Sequence, residues 1–588
     1  MKLWDFIYKY FWWFGKAVLK LYPNLPYIIR RSGMCVYPEA YASFVGFSTI
    51  VSIIISIVLI LIIIALGYVS PFLSFIVIIP FFTFVFMVHL PYLIGSSRAG
   101  AIDGEIPYTT AYLSIMVASG ISPYGAFERI SKARKVFPKS SDLSQRFVLL
   151  VRVLGRDPLT AFSMLALRTP SATVKDLLTG YISTVRSGGD VIDYLTKKAR
   201  LMFSEILVKM KIIADRLGSL LEAYLALILL TTISLSTLYF VNVAISAVAL
   251  PALSGLSMFL LMYVLLPFLS AMIMYISDIV QYKEPWVDYR PYIVFFGITI
   301  PVTIFIIVFG LYLPSTLPES HPFKYNVIST TIVNIINQIG SITGIPDYLY
   351  SSLIMTFALF VATLPSAIYE LHVSREYKVV NGITKFLRDL VEIRKTGLSP
   401  ERSIIELSQN DYGIFSKFLK RMAMQLSLGV SLSRIISGLF KKIIVWRARV
   451  LLYMLTDAIE VGGGSIENLE NLAWFAESVD AIEDEKKRSL RTLLVVPYIG
   501  AIIVVVTIIL LASFLGSLVI RVAAYSAAAK VTLPSIVLNI YLMGLVAGKV
   551  SEGSVAAGFK HAAILMLITI IVLLMSPYMG GAFVSITG

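Results

Sequence analysis

Two stretches of this 588-residue chain, "ASGISPYGAFERIS" at 118–131 and "KTGLSPERSIIELS" at 395–408, carry the same turn signal. Glycine can take the left-handed conformation that ends a helix, serine can cap the next helix, and proline suits its first position. The sequence therefore predicts the same helical hairpin bend twice. Its residues are Gly120, Ser122 and Pro123 in the first copy and Gly397, Ser399 and Pro400 in the second.

The similarity continues downstream of both bends. "GRDPLTAFSML" at 155–165 and "GVSLSRIISGL" at 429–439 follow in register to within a few residues, and each copy then has a second glycine element, in "RSGGDVIDYL" and "VGGGSIENLENL". Three matches in order predict a duplicated helical module. The glycines of the second element are Gly188 and Gly189 in the first copy and Gly462, Gly463 and Gly464 in the second.

The composition indicates an integral membrane protein, because 57% of the residues are hydrophobic, 14% are charged and the mean hydropathy is +0.83. A helix needs about 20 apolar residues to cross a bilayer. By that measure we predict an all-α polytopic protein with two homologous helical bundles, and its single cysteine, Cys35, excludes an intramolecular disulfide. The nine predicted spans are 42–67, 71–94, 219–247, 255–276, 291–313, 351–371, 493–518, 532–548 and 560–578.

Basic residues predict which side of the membrane each segment occupies. Of the 50 Lys and Arg residues, all but Lys324, Arg521 and Lys530 fall on one side of these spans. The positive-inside rule makes that side the cytoplasm. The predicted segments are an interfacial or cytoplasmic N-terminus 1–41, a transmembrane pair 42–94, a first cytoplasmic domain 95–218, transmembrane helices 219–372 with an external loop 314–350, a second cytoplasmic domain 373–492, and C-terminal spans 493–588.

With these motifs, and with the lead-in "RRSGMCVYPEAYAS" at 30–43, the sequence resembles the type II secretion F domain family in its archaeal branch, which includes platform proteins of the archaellum and of type IV pili. The resemblance implies a non-enzymatic protein of the cell membrane without a cofactor. It also implies a hexameric secretion ATPase and pilin- or archaellin-like subunits as partners, membrane lipid around the spans, and a homodimer.

Exposed basic clusters are the candidates for docking an acidic partner, although solvated helix faces or attraction to anionic lipid would explain any one of them equally well. Nucleic acid is discounted as a partner, because the sidedness of the spans accounts for the positive charge. The candidate docking residues are Arg129, Lys132, Arg134, Lys135, Arg152, Arg156, Lys417, Lys420 and Arg421.

Other chemistry has little support in the sequence. "GLVAGKVS" at 544–551 lacks the spacing of a phosphate-binding loop, and its Gly544 and Gly548 instead form a small-xxx-small surface for helix packing. We expect the four histidines to be isolated from one another and from acidic neighbours, so no zinc signature arises. The main alternative is a multi-spanning solute transporter or channel, which the scarcity of charged side chains in the spans disfavours. An intramembrane protease is weaker still, because the spans offer no convincing Asp pair or Ser and His pair.

Overall fold

The computed structural model describes residues 2–34, 36–65, 73–246, 260–282, 288–312, 327–518 and 522–587. Nearly all of these residues are helical, and these ranges contain no strand. They include nine helices that are long and apolar enough to cross a membrane, so the predicted all-helical, polytopic fold is confirmed. Cys35, Lys283, His321, Lys324, Arg521 and residues 314–326 of the predicted external loop lie outside the described residues.

The N-terminal helices form a small cluster of their own. They are α1 (Lys2–Leu21), which has a kink at Phe11, α2 (Leu25–Ser32), α3 (Pro38–Ala65) and α4 (Leu73–Ala118). Helix α1 packs lengthwise and antiparallel on α3, since Gly15 lies against Ser43 and Gly46 lies against the Phe14 ring. The predicted interfacial position of the N-terminal segment stays a prediction.

The first helical domain begins in the second half of α4. It continues through α5 (Pro123–Lys132), α6 (Pro138–Arg152), α7 (Pro158–Arg168) and α8 (Ala172–Arg186), and it ends in the first half of α9 (Val191–Ser246). Both α4 and α9 also extend into membrane spans. The predicted boundaries at residues 94 and 218 therefore fall inside continuous helices, which connect the domain rigidly to the bundle.

Three spans follow. The first contains α10 (Leu266–Val280), the second, Arg290–Gly310, contains both α11 (Arg290–Val294) and α12 (Ile300–Ile307), and the third contains α14 (Tyr350–Glu376), which α13 (Val327–Thr343) precedes. Two π-helical turns, Leu261–Leu265 and Phe295–Thr299, each end just before a proline, Pro267 or Pro301. Proline clashes with the carbonyl four residues earlier, and a wider turn relieves that clash.

The second helical domain repeats the first element by element. Its helices are α15 (Val379–Lys395), α16 (Pro400–Leu407), α17 (Ser416–Ser427), α18 (Leu432–Leu439), α19 (Trp446–Glu460) and α20 (Ile466–Arg491). The long α15 and α20 pack together as α4 and α9 do, and the short helices keep the same neighbours. Buried residues of both domains form one continuous hydrophobic core.

The C-terminal helices complete the membrane bundle. They are α21 (Val495–Leu518), α22 (Val522–Glu552) and α23 (Gly558–Thr587). Helix α22 lies at the centre of the bundle, because α9, α10, α14, α21 and α23 all pack against it. Its apolar side chains belong to a second core that is separate from the core of the two domains.

Candidate functional site

The two hairpin bends have the same local geometry. Gly120 and Gly397 have φ angles of +86° and +92°, in the left-handed region that favours glycine. The hydroxyl of Ser122 accepts a hydrogen bond from Gly125 N at 3.2 Å, and that of Ser399 accepts one from Arg402 N at 3.3 Å. Pro123 and Pro400 are the first residues of α5 and α16. Each bend therefore fixes the direction of the chain between two helices.

The second glycine elements also contain left-handed residues. Gly188 has a φ of +71°, and Gly463 and Gly464 both have a φ of +62°. Gly189 and Gly462 do not share this conformation. Gly462 has a packing role instead, since a Cβ there would lie 2.5 Å from Ser119 Oγ of the first domain. This glycine allows the two domains to approach closely.

A buried carboxylate holds the two domains together. Asp457 of α19 accepts a hydrogen bond from the hydroxyl of Tyr112 on α4 at 2.5 Å, and Arg129 of α5 lies 3.3 Å from its other oxygen. The Asp457 side chain is only 9% exposed. Burial raises the pKa of Asp457 above its ordinary value of 3.8, while the hydrogen bond from Tyr112 and the charge of Arg129 act in the opposite direction. The carboxylate thus depends on partners that the other domain supplies.

Further contacts extend this interface on both sides of Asp457. The indole Nε1 of Trp446 donates to Val136 O at 2.7 Å, and the Trp446 ring lies edge-on to Tyr108 with centroids 4.8 Å apart. The side-chain amide of Asn468 donates to Ser119 Oγ at 2.8 Å. Aromatic pairs of this kind add stabilisation beyond the area that they bury. The two copies therefore form one packed unit.

Three of the predicted docking residues are engaged within the chain. Arg129 pairs with Asp457 at the domain interface, and Lys132 and Arg152 both lie 2.9 Å from the carboxylate of Glu128. The hydrogen bond from Lys132 lowers the pKa of Glu128. Arg129 therefore has a structural partner, which makes it a weaker docking candidate.

The other predicted docking residues are exposed, but the structure does not bring them together in one cluster. Arg134 and Lys135 lie between α5 and α6, Arg156 follows α6, and a second group lies on α17 of the other domain. Their contact with a partner stays a prediction. The exposed residues are Arg134, Lys135, Arg156, Lys417, Lys420 and Arg421.

Polar contacts also join the domains to the end of the membrane bundle. Gln281, just after α10, donates to Lys549 O at the end of α22 at 2.6 Å, and the neighbouring Tyr282 donates to Gly104 O of α4 at 3.0 Å. Lys549 itself lies 2.5 Å from Asp278. The central helix α22 is thus connected to the first domain through two adjacent residues.

One histidine has a different environment from the one that the sequence predicts. His561 Nε2 lies 3.3 Å from Glu552, and its Nδ1 lies 2.8 Å from the Tyr498 hydroxyl, because the turn between α22 and α23 brings these residues together. The prediction that His561 is remote from acidic groups is therefore wrong. Within the described ranges, no group of three His, Cys, Asp or Glu side chains is arranged to hold a metal ion.

Gly544 and Gly548 lie where α22 crosses α23. A Cβ on Gly544 would lie 2.4 Å from Ala562 Cα, and one on Gly548 would lie 2.1 Å from Gly558 N. The two backbones approach more closely than larger residues would allow, which is how small residues promote helix association in membranes.

The reasoning from sequence missed the interface residues Tyr112, Trp446 and Asp457. One signal was present for Asp457, which is the one acidic residue in the apolar run "VLLYMLTDAI" at 450–459. A helix that is apolar on all sides is buried, and a charge on it needs a partner. Its partners are 345 and 328 residues away in sequence, so no local pattern identifies them.

The fold and the interface define a polytopic membrane protein with a duplicated helical domain. Residues 109–238 and 386–512 each match the model of the family described as type II secretion system (T2SS), protein F, so the chain contains two copies of this domain. The F domain is that of membrane platform proteins in type II secretion and type IV filament systems. An uncharacterized protein of Methanocaldococcus jannaschii is 20% identical over 84% of this chain and 82% of its own length. No solved structure matches significantly.

Proposed function

We propose that this protein is the cell-membrane platform of a type IV filament, either an archaellum or a pilus, or of a type II-like secretion machine. In this role both helical domains face the cytoplasm, bind a hexameric secretion ATPase, and couple it to insertion of pilin- or archaellin-like subunits. The observation that carries the proposal is the duplicated F domain, packed as one unit on a membrane bundle. Association with a second copy of the chain is part of the same proposal.

Rigid connections support a mechanical role. Helices α4 and α9 run without interruption from the first domain into membrane spans. The interface around Asp457 and Trp446 joins the second domain to the first, and Gln281 connects α22 to the same assembly. A force that a partner applies to either domain would therefore be transmitted to the membrane bundle rather than absorbed by a flexible linker.

The transporter alternative has less support. A carrier keeps charged or polar side chains at the middle of its spans because they bind the solute or the coupling ion. The ion pairs of Lys549 with Asp278 and of Lys560 with Glu552 lie instead at the ends of their helices. Asn539, which is buried within α22, donates to Ser535 O of its own helix.

The proposal can be tested with the purified full-length chain and the purified secretion ATPase from the same organism. We expect binding, and we expect the paired change Arg134→Glu and Lys135→Glu to weaken it about tenfold, because reversing exposed charges slows association with an acidic surface. Lys175→Glu is the matched control, since Lys175 is exposed on α8 of the same domain. Failure of the wild-type chain to bind the ATPase would contradict the platform function.

A further inference from the structure

The third helix of each domain ends in an exposed apolar tip at the same position of the repeat. Leu149 lies in the last turn of α6, Val153 and Leu154 directly follow that helix, and Gly155 comes next with a φ of +58°. Met424 lies in the last turn of α17, Leu428 directly follows that helix, and Gly429 comes next with a φ of +79°. We call these the first tip (Leu149, Val153, Leu154) and the second tip (Met424, Leu428).

The glycine turns that follow α6 and α17 do not require these apolar side chains to be exposed. Leu154 is 63% exposed and Leu428 is 76% exposed, although each lies directly before the left-handed glycine that ends its helix. Single exposed leucines are common on protein surfaces. Here, however, two copies that differ at most other positions both keep a leucine at this place, beside a second large apolar side chain.

Both tips lie at the same end of the paired domains. Arg152, near the first tip, donates to the Tyr124 hydroxyl at the hairpin bend after α4. Ser433 N, just after the second tip, donates to Glu460 at the end of α19, two residues before Gly462, which packs against Ser119. Helix α4 extends 24 residues past the predicted span end at Ile94, which is roughly 35 Å of helix. The tips are therefore remote from the membrane, which disfavours lipid as their ligand.

The residues near the tips indicate the chemistry of a partner. Arg152, which is partly exposed although it pairs with Glu128, lies on the same face of α6 as Leu149, and Arg421 lies on the same face of α17 as Met424. An apolar anchor beside an arginine fits an apolar pocket with a carboxylate rim. Two equivalent tips on one rigid unit fit a partner that presents such a pocket more than once.

We infer that the two tips are a bivalent docking surface for an oligomeric soluble protein whose subunits each present an acidic-rimmed apolar pocket. This inference rests on the proposed function, in which that partner is the hexameric secretion ATPase. Simultaneous engagement of two sites raises the apparent affinity well above that of either site alone.

The test uses the full-length chain in lipid nanodiscs and the purified secretion ATPase, with Leu154→Ser, Leu428→Ser, the double variant and a control. Each single variant should weaken the apparent Kd about tenfold, and the double variant about a hundredfold or more. Leu167→Ser is the matched control and should bind as the wild type does, because Leu167 is 69% exposed on the first domain but at the end of α7. These leucines are exposed, so the melting temperature should not change.

Three results would overturn the inference. If the double variant binds like the wild type while Arg134→Glu with Lys135→Glu weakens binding, the platform function stands and the tips are not its docking surface. If the double variant changes the sedimentation of the chain alone, the tips are a self-association surface. If the wild-type chain does not bind the ATPase, the proposed function and this inference both fail.

Discussion

At the scale of single residues, Asp457 shows how one carboxylate can hold two domains in register. A buried carboxylate without partners costs several kcal/mol. Tyr112 and Arg129 supply its partners, and both belong to the other domain. These partners from the other domain act against the cost of burying the charge, while burial remains the larger effect on its pKa.

This arrangement predicts a pH dependence of stability. Because burial raises the pKa of Asp457 in the folded state, its contribution is fully present below the ordinary pKa of 3.8 and is lost as pH rises through the folded pKa. Asp457→Asn keeps the side chain neutral, so it should flatten the fall in melting temperature from acidic pH towards neutral pH. Arg129→Gln removes a charge that lowers this pKa and should move the fall to higher pH. Thermal unfolding in detergent measures both, and identical pH profiles for the wild type and Asp457→Asn would contradict the argument.

At the scale of helices, the structure shows which features follow from local sequence. The bends at Gly120 and Gly397 depend on residues within a few positions of one another, so their pattern was readable. The starts of α6 and α17 could not be predicted from local sequence. Glu105 accepts hydrogen bonds from Lys139 N and Ser140 N at the start of α6, but Gly382 occupies the equivalent position in the second domain, 277 residues later.

That substitution changes the element that follows. A Cβ on Gly382 would lie 2.3 Å from Tyr412 O, so the chain before α17 packs where the Glu105 side chain lies in the first domain. A 3₁₀ turn, Gly413–Phe415, precedes α17 there. Contacts of this kind, like those of Asp457 and Trp446, join residues that are distant in sequence, and the turn patterns contain no information about them.

The crossing of α22 and α23 gives a prediction at this scale. Gly548→Ala would place a methyl group against the backbone of Gly558, with no flexible side chain to move away, so we expect a loss of about 1–3 kcal/mol in the free energy of unfolding. Gly297→Ala is the control within the membrane spans, because a Cβ there meets nothing within 4 Å. Unfolding in detergent with increasing denaturant compares the two. Equal stabilities would show that α22 and α23 separate at no cost.

At the scale of the whole molecule, the domains and the bundle form one mechanical body. Helix α20 passes through a 3₁₀ turn, Thr492–Leu494, directly into α21, and Leu493 packs against Gly218 of α9. The second domain is thus joined to the bundle beside a helix that belongs to the first. Two homologous domains on such a body can act together only if they lie on the same side of the membrane.

This requirement can be tested with single cysteines in a Cys35→Ser background. Ser187→Cys and Ser437→Cys place thiols on exposed positions of the first and second domains, and Ser341→Cys places one on exposed α13. Because 47 of the 50 Lys and Arg residues are predicted on the side of the domains, the positive-inside rule places both domain positions in the cytoplasm and α13 outside. A membrane-impermeant maleimide should therefore label only the Ser341→Cys variant in intact cells and the other two after permeabilisation. If the two domain positions were labelled from opposite sides of the membrane, the domains could not share one docking face. Mechanical coupling of both domains to one ATPase would then be excluded.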